Sequence, residues 1–126
     1  MAIGHIDELK SIELSGEGIK GASKKVLIHP ENGWDNHVMR LFTLENEGFT
    51  PRHSHPWPHI NYITSGQGTL FLEGELHEIK AGSYAYVPGN SLHQFMADRN
   101  SDLSFICIVP LEGDPNFLQG TSGYAR

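Results

Sequence analysis

The segment His53-Ser54-His55-Pro56-Trp57-Pro58-His59 puts three imidazoles within seven residues, and a fourth, His93, follows after a stretch rich in strand formers. Neutral imidazole is a good ligand for divalent first-row ions, and three or four rings converging in one interior make a metal site. Spacing carries more weight than number. On a strand, residues i and i+2 project from the same face, so His53 and His55 point inward together. After the Pro56-Trp57-Pro58 turn, His59 re-enters the same interior from the start of the next strand. His5, His29, His37 and His77 lack such company and are expected in solvent.

Other residues around these histidines could shape a pocket. Arg40 lies mid-strand among Val38, Met39, Leu41 and Phe42. Facing inward it anchors an acidic substrate, facing outward it is solvated, and strand alternation leaves both open. Arg52 directly precedes His53 and should face the other way, at the rim or surface. Cys107 shares parity with Phe105 and Val109, which makes it either a cavity-lining thiol or a small core residue. Phe95 shares parity with His93, and Asn61 and Ile63 share parity with His59, so with Phe42 and Phe105 they complete the candidate pocket. Trp57 is expected to pack on its flanking prolines at the mouth. Tyr62 and Tyr86 are conceivable proton donors, but nothing in the spacing ties them to a metal. The chain has no nucleophile elbow, phosphate-cradling glycine loop or HExxH pattern. No Asp or Glu lies within the histidine segments, so no catalytic acid or base is assigned, and chemistry activated mainly by a metal is favoured.

The elements that must position these residues are short. Fourteen glycines and seven prolines punctuate runs of Val, Ile, Phe, Tyr and Leu, the pattern of an all-β domain. Strands are predicted at 25–28, 38–44, 60–64, 69–72, 76–79, 84–87, 93–96 and 103–109. Phe105 to Val109 is apolar on both faces, and Glu73-Gly74 reads as a tight hairpin turn. Ile6 to Leu14 is the nearest approach to a helical period. Such a string of strands fits a double-sheet sandwich or barrel. The chain has 126 residues, one cysteine and a net charge of -6, which indicates a single domain with no internal disulfide. It also disfavours a phosphate-tracking surface, so no nucleic-acid partner is expected. No apolar run suits a bilayer and no signal peptide opens the chain, so no membrane partner and a cytoplasmic location are expected. Residues 111–126 turn polar and are expected to form a loose or partner-bound tail carrying Phe117 and Tyr124.

Gly48-Phe-Thr-Pro-Arg-His53-Ser-His55-Pro-Trp-Pro-His59, running on to Gly66, resembles the first cupin motif. Gly82 to Pro88 followed by His93 in PGNSLHQF resembles the second. One residue is missing between Gly48 and His53, Asn90 and Ala97 replace a common glycine and asparagine, and His59 stands where the usual acidic ligand would be. The strings VMRLFT, RHSHPW and FICIVP are similar to small bacterial cupins with a four-histidine metal site. The resemblance implies a double-stranded β-helix (jelly-roll-like) barrel over residues 24–110, preceded by an arm or strand at 1–23. It further implies one divalent ion on His53, His55, His59 and His93, manganese ahead of Fe, Zn, Ni or Co, and a homodimer that takes a small-molecule ligand or substrate. Four neutral ligands on an octahedral ion would leave two positions for a chelating oxygenated acid. A dioxygenase-type oxidoreductase is placed ahead of a uronate-linearising isomerase or lyase and of a non-catalytic ligand binder, because the pocket residues are largely apolar.

Overall fold

Alternation along the chain sends Val38, Arg40, Phe42 and Leu44 to one face, and their cross-strand partners Val109, Cys107, Phe105 and Leu103 to the same face. The computed structural model describes residues 1–114. Its strands are β1 (Ile12–Leu14), β2 (Lys20–Ile28), β3 (His37–Phe49), β4 (His59–Leu72), β5 (Glu75–Lys80), β6 (Tyr84–Val87), β7 (His93–Ala97) and β8 (Leu103–Pro110). Short 3-10 turns lie at Ile6–Glu8, Pro30–Asn32 and Leu111–Gly113. Every pairing is antiparallel: β8 joins β3 to β4, and β7 closes the ring by pairing with β4 and, through Phe49 and Met96, with β3. β2 and β1 extend the sheet from β3, while β5 and β6 add to β4. The fold is therefore the all-β barrel expected from the strand pattern, and closure hides its central edges.

Three local departures from the expected elements have physical causes. The strands predicted at 60–64 and 69–72 run as one, β4, through Gly66. Its φ of 85° favours glycine, and a Cβ there would strike the Asp102 carbonyl on the neighbouring chain segment. The register against β8 shifts between Ile63 and Ser65, so the strand bends without ending. The faint helical period at 6–14 resolves into the turn Ile6–Glu8 and strand β1. That turn is held by His5 Nδ1 accepting from the Asp7 amide at 3.0 Å. The polar segment from Leu111 begins as ordered structure: Leu111 packs on Val109 and its neighbours, and Asp114 is fully buried. Phe117 and Tyr124 lie outside the described residues.

The apolar core splits into two parts. Leu44, Ile63, Leu70, Phe95, Leu103 and Phe105 fill one end, and Val26, Val38, Cys107 and Val109 form a smaller cluster toward Trp57. Among the described residues, no helix is long and apolar enough to cross a membrane.

Candidate metal centre and cavity

His53 and His55 lie on the segment before β4, His59 opens β4, and His93 opens β7. The segment is fastened to β7. His53 and His93 exchange both backbone hydrogen bonds at 3.1 and 3.0 Å, and the Thr50 amide donates to the Phe95 carbonyl at 3.0 Å. The Asn90 amide reaches the His55 carbonyl at 2.6 Å. Asn90 itself sits at φ 68°, a conformation asparagine tolerates better than most residues, so its replacement of the motif's glycine leaves the turn possible.

Five of the six pairs among the four imidazoles have ring centroids 4.9 to 5.3 Å apart. The nitrogens of His53, His55 and His93 include one from each ring lying within 4.8 Å of the others. His59 joins through its Nε2, which faces His93 Nε2 at 3.3 Å. Three Nδ1 atoms are engaged from behind: His55 Nδ1 by the Trp57 carbonyl at 2.8 Å, His59 Nδ1 by Asn61 Oδ1 at 2.7 Å, and His93 Nδ1 by the Ser91 carbonyl at 2.8 Å. Carbonyl oxygens only accept, and Asn61 is oriented by its own amide donating to the Ile106 carbonyl at 3.3 Å. These rings therefore carry their proton on Nδ1 and turn an Nε2 lone pair into the centre.

Burial, the largest effect, lowers the pKa of His53, His59 and His93 from 6.5 to about 4 and lowers that of His55 as well. The neighbouring imidazoles push in the same direction on His53 and His93, and the Arg40 charge does so on His59. At neutral pH no proton lies between His59 and His93, so two lone pairs confront each other. A divalent ion resolves this, because 3.3 Å is the span of two nitrogens each about 2.1 Å from a common ion. The donor set thus fits a divalent transition ion. The unfolded chain takes up protons near pH 6.5 that the native cluster refuses until about pH 4. Stability of chelator-treated protein is accordingly level above that window and falls as pH drops through it. Thermal melts should show a lower midpoint at pH 5 than at pH 7.5, and equal midpoints would refute the shifts.

A cavity of about 310 Å³ opens beside the histidines. Phe42, Phe95, Phe105, Cys107 and Arg40 form its wall, and Leu14, Ile19 and Pro51 also line it. Arg40 is buried and faces inward, its Nη2 donating to Cys107 Sγ at 3.1 Å and its Cζ 4.8 Å from the Phe42 ring centre. Asn61 and Ile63 do not line the cavity: Asn61 stands behind His59, and Ile63 is buried in the apolar core. Arg52 lies outside, over the Phe71 ring at 3.8 Å. Trp57 stacks on His55, with centroids 4.6 Å and planes 7° apart, so it buttresses a candidate ligand. His29 is buried rather than solvated, and His37 stacks on Trp34. A larger depression of about 620 Å³ lies between the N-terminal arm and β2, but none of the four clustered histidines borders it. Sequence reasoning missed Ser91, whose carbonyl leaves no residue-type signal, and Lys24 and Asp114. Only Lys24 had a usable cue, its shared parity with Ala22 and Val26.

Closed antiparallel barrel and inward histidine cluster together define a metal-binding β-barrel of the cupin class. A family model described as "Cupin domain" matches residues 40–109, more than half of the chain, and the protein belongs to that family. Among solved structures, the polyketide cyclase RemF from Streptomyces resistomycificus is similar at 25% identity and TM-score 0.81, over 98% of this chain and 96% of that one. A predicted oxalate decarboxylase from Thermotoga maritima shares 23% identity at TM-score 0.80, over 87% of this chain and 99% of that one. KdgF from Halomonas sp. shares 19% at TM-score 0.71, over 82% and 89%. No curated protein matches.

Proposed function

We propose that this cupin is a metal-dependent enzyme that acts on a small, largely apolar organic anion bearing oxygen donors. His53, His55, His59 and His93 would hold one divalent ion, manganese or iron by preference. The observation that carries the reading is the confrontation of His59 and His93 Nε2 at 3.3 Å with both Nδ1 atoms satisfied. A bound ion would supply Lewis-acid or redox activation to an oxygenated substrate. The chain's own residues orient and shield. Asn61, Ser91 and Trp57 fix the ring orientations, Phe42, Phe95 and Phe105 exclude water, and Arg40 offers an anchor for an acidic group.

A dioxygenase-type oxidation leads, since dioxygen can deliver both its atoms to a cleaved substrate without a separate reductant. The apolar wall favours such a substrate over a sugar acid, which would find few hydrogen-bonding partners there. A second reading, metal-assisted ring closure, is supported by the near full-length similarity to a polyketide cyclase. Elemental analysis of protein purified without chelator should find close to one equivalent of a transition metal, or uptake of one on addition. Less than about a tenth of an equivalent with no uptake would overturn the proposal. Oxygen consumption by manganese- and iron-loaded protein with diketones, catechols and keto acids then separates oxidation from ring closure. Uniform silence would remove the oxidation reading, and tightly bound compound recovered unchanged after incubation would remove ring closure as well and indicate a binder.

The expected homodimer is proposed to form through the outer face of β4, β6 and β8. Ile60, Tyr62, Tyr84 and Tyr86 sit side by side there at 50 to 85% exposure, with Ile106 and Ile108 beside them. This strip bears no charge and suits a second copy of itself across a two-fold axis. Sedimentation should give a dimer for the native chain and a monomer for Tyr62→Asp, and an unchanged mass would exclude this face.

A further inference from the structure

His93 keeps its proton on Nδ1 because one atom, the Ser91 carbonyl oxygen, accepts from it at 2.8 Å. That carbonyl belongs to the turn preceding β7, and the β4–β5 hairpin is fastened to the same turn. The Ser91 hydroxyl donates to Glu73 Oε2 at 2.7 Å, and the Glu73 amide donates to the Leu92 carbonyl at 3.1 Å. One residue thus holds both sides of the peptide unit that joins Ser91 to Leu92, and rotation of that unit strains or breaks a bond. Ser91 is 9% exposed and His93 3%, so bulk water is a poor replacement for a lost partner.

The hairpin fixes where the carboxylate starts from. Leu72 pairs with Glu75, which leaves Glu73 and Gly74 as a two-residue loop at φ 53° and 85°. Such a loop favours asparagine, aspartate or glycine at its first position, and a glutamate there is conformationally disfavoured. The backbone therefore does not account for this side chain. Its bond to Ser91 gives it a use that depends on length, since aspartate would turn as readily but end one methylene short. Glu73 is itself exposed and does not border the cavity.

We propose that Glu73 is a positioning residue for the metal centre: through the Ser91 hydroxyl it fixes the peptide unit whose carbonyl keeps the proton on His93 Nδ1, and so keeps His93 Nε2 turned to the centre as a lone pair. This deepens the proposed function and rests on it for the ion, though not for the state of the ring. A surface hairpin thereby sets the donor strength of a buried imidazole two bonds away along a chain of carboxylate, serine and histidine.

Two readouts test this: imidazole nitrogen chemical shifts of chelator-treated protein at pH 7.5, which report the His93 tautomer, and competition titration of Co2+ against a chromogenic chelator. The native chain should show His93 protonated on Nδ1. Glu73→Ala should populate the other tautomer and weaken Co2+ binding by about tenfold, and Ser91→Ala should match it. Both remove one and the same bond, so the double variant should lose no more than either single one. Glu73→Gln keeps an acceptor oxygen at the same reach and should restore both readouts. Glu73→Asp suits the turn but not the reach, and should behave like Glu73→Ala; a role confined to the hairpin predicts native behaviour instead. Native Co2+ affinity and tautomer in Glu73→Ala or Glu73→Asp, or additive losses in the double variant, overturn the inference. A tautomer change in protein that takes up no Co2+ would leave the inference standing and remove the metal reading. Metal uptake with the same affinity and tautomer in every variant would do the reverse.

Discussion

His59→Ala should weaken binding of a divalent transition ion by more than about 100-fold, beyond the 10- to 100-fold usual for loss of a residue that merely supports a ligand. His59 is 6% exposed and its Nε2 lies 3.3 Å from that of His93. Its removal takes a nitrogen directly from the centre. The metal-free fold should hardly notice. Asn61 Oδ1 loses one hydrogen bond, worth about 1 kcal/mol, while the opposition of two lone pairs is relieved. Competition titration against a chromogenic chelator measures the first effect and denaturant unfolding of chelated protein the second. Unchanged metal affinity would show that His59 is no ligand and leave the centre to His53, His55 and His93.

Phe105→Ala should produce the converse result, a loss of about 3 to 5 kcal/mol in unfolding free energy with the metal affinity kept within about tenfold. Phe105 is 2% exposed and stacks on Phe95 with centroids 4.2 Å apart and on Phe42 at 5.5 Å. It joins the apolar core to the cavity wall, so its truncation leaves a void that the closed ring of strands cannot collapse to fill. Against a typical domain stability of about 5 to 15 kcal/mol, that is a large fraction. A midpoint shift in urea at unchanged slope is the expected signature, and a loss below about 1 kcal/mol would mean that the site repacks.

Much of the site was legible because its logic is local. His59 and His93 open strands as expected, but His53 forms only an isolated bridge to His93 and His55 lies on no strand, so the i, i+2 argument found the cluster without the strand it assumed. Parity names a face but not which face is inside. Arg40 was undecidable because β3 is apolar on both sides, Val38 and Phe42 on one, Met39 and Leu41 on the other. Only closure of the barrel, which turns the face of Arg40 and Cys107 inward, fixes it. Parity is equally blind to depth: Ile63 shares the face of His59 yet lies farther along β4, in the core. The Trp57 stack and the burial of Asp114 left no cue for a different reason. Each is defined by a partner distant in space or by a ring orientation that neighbouring residues do not encode. The extent of β4 was hidden by Gly66, which reads as a break and serves as a bend.

The backbone bridge between His53 and His93 has a kinetic side. An ion held by both side chains would tie the approach to β4 to the start of β7 and close a loop of some 40 residues, a constraint of about 3 kcal/mol on the open chain by polymer statistics. Because unfolding must separate those two segments or release the ion first, the loaded protein should open slowly. Resistance to proteolysis would then track metal occupancy, and cellular metal supply would set the protein's lifetime as well as its chemistry.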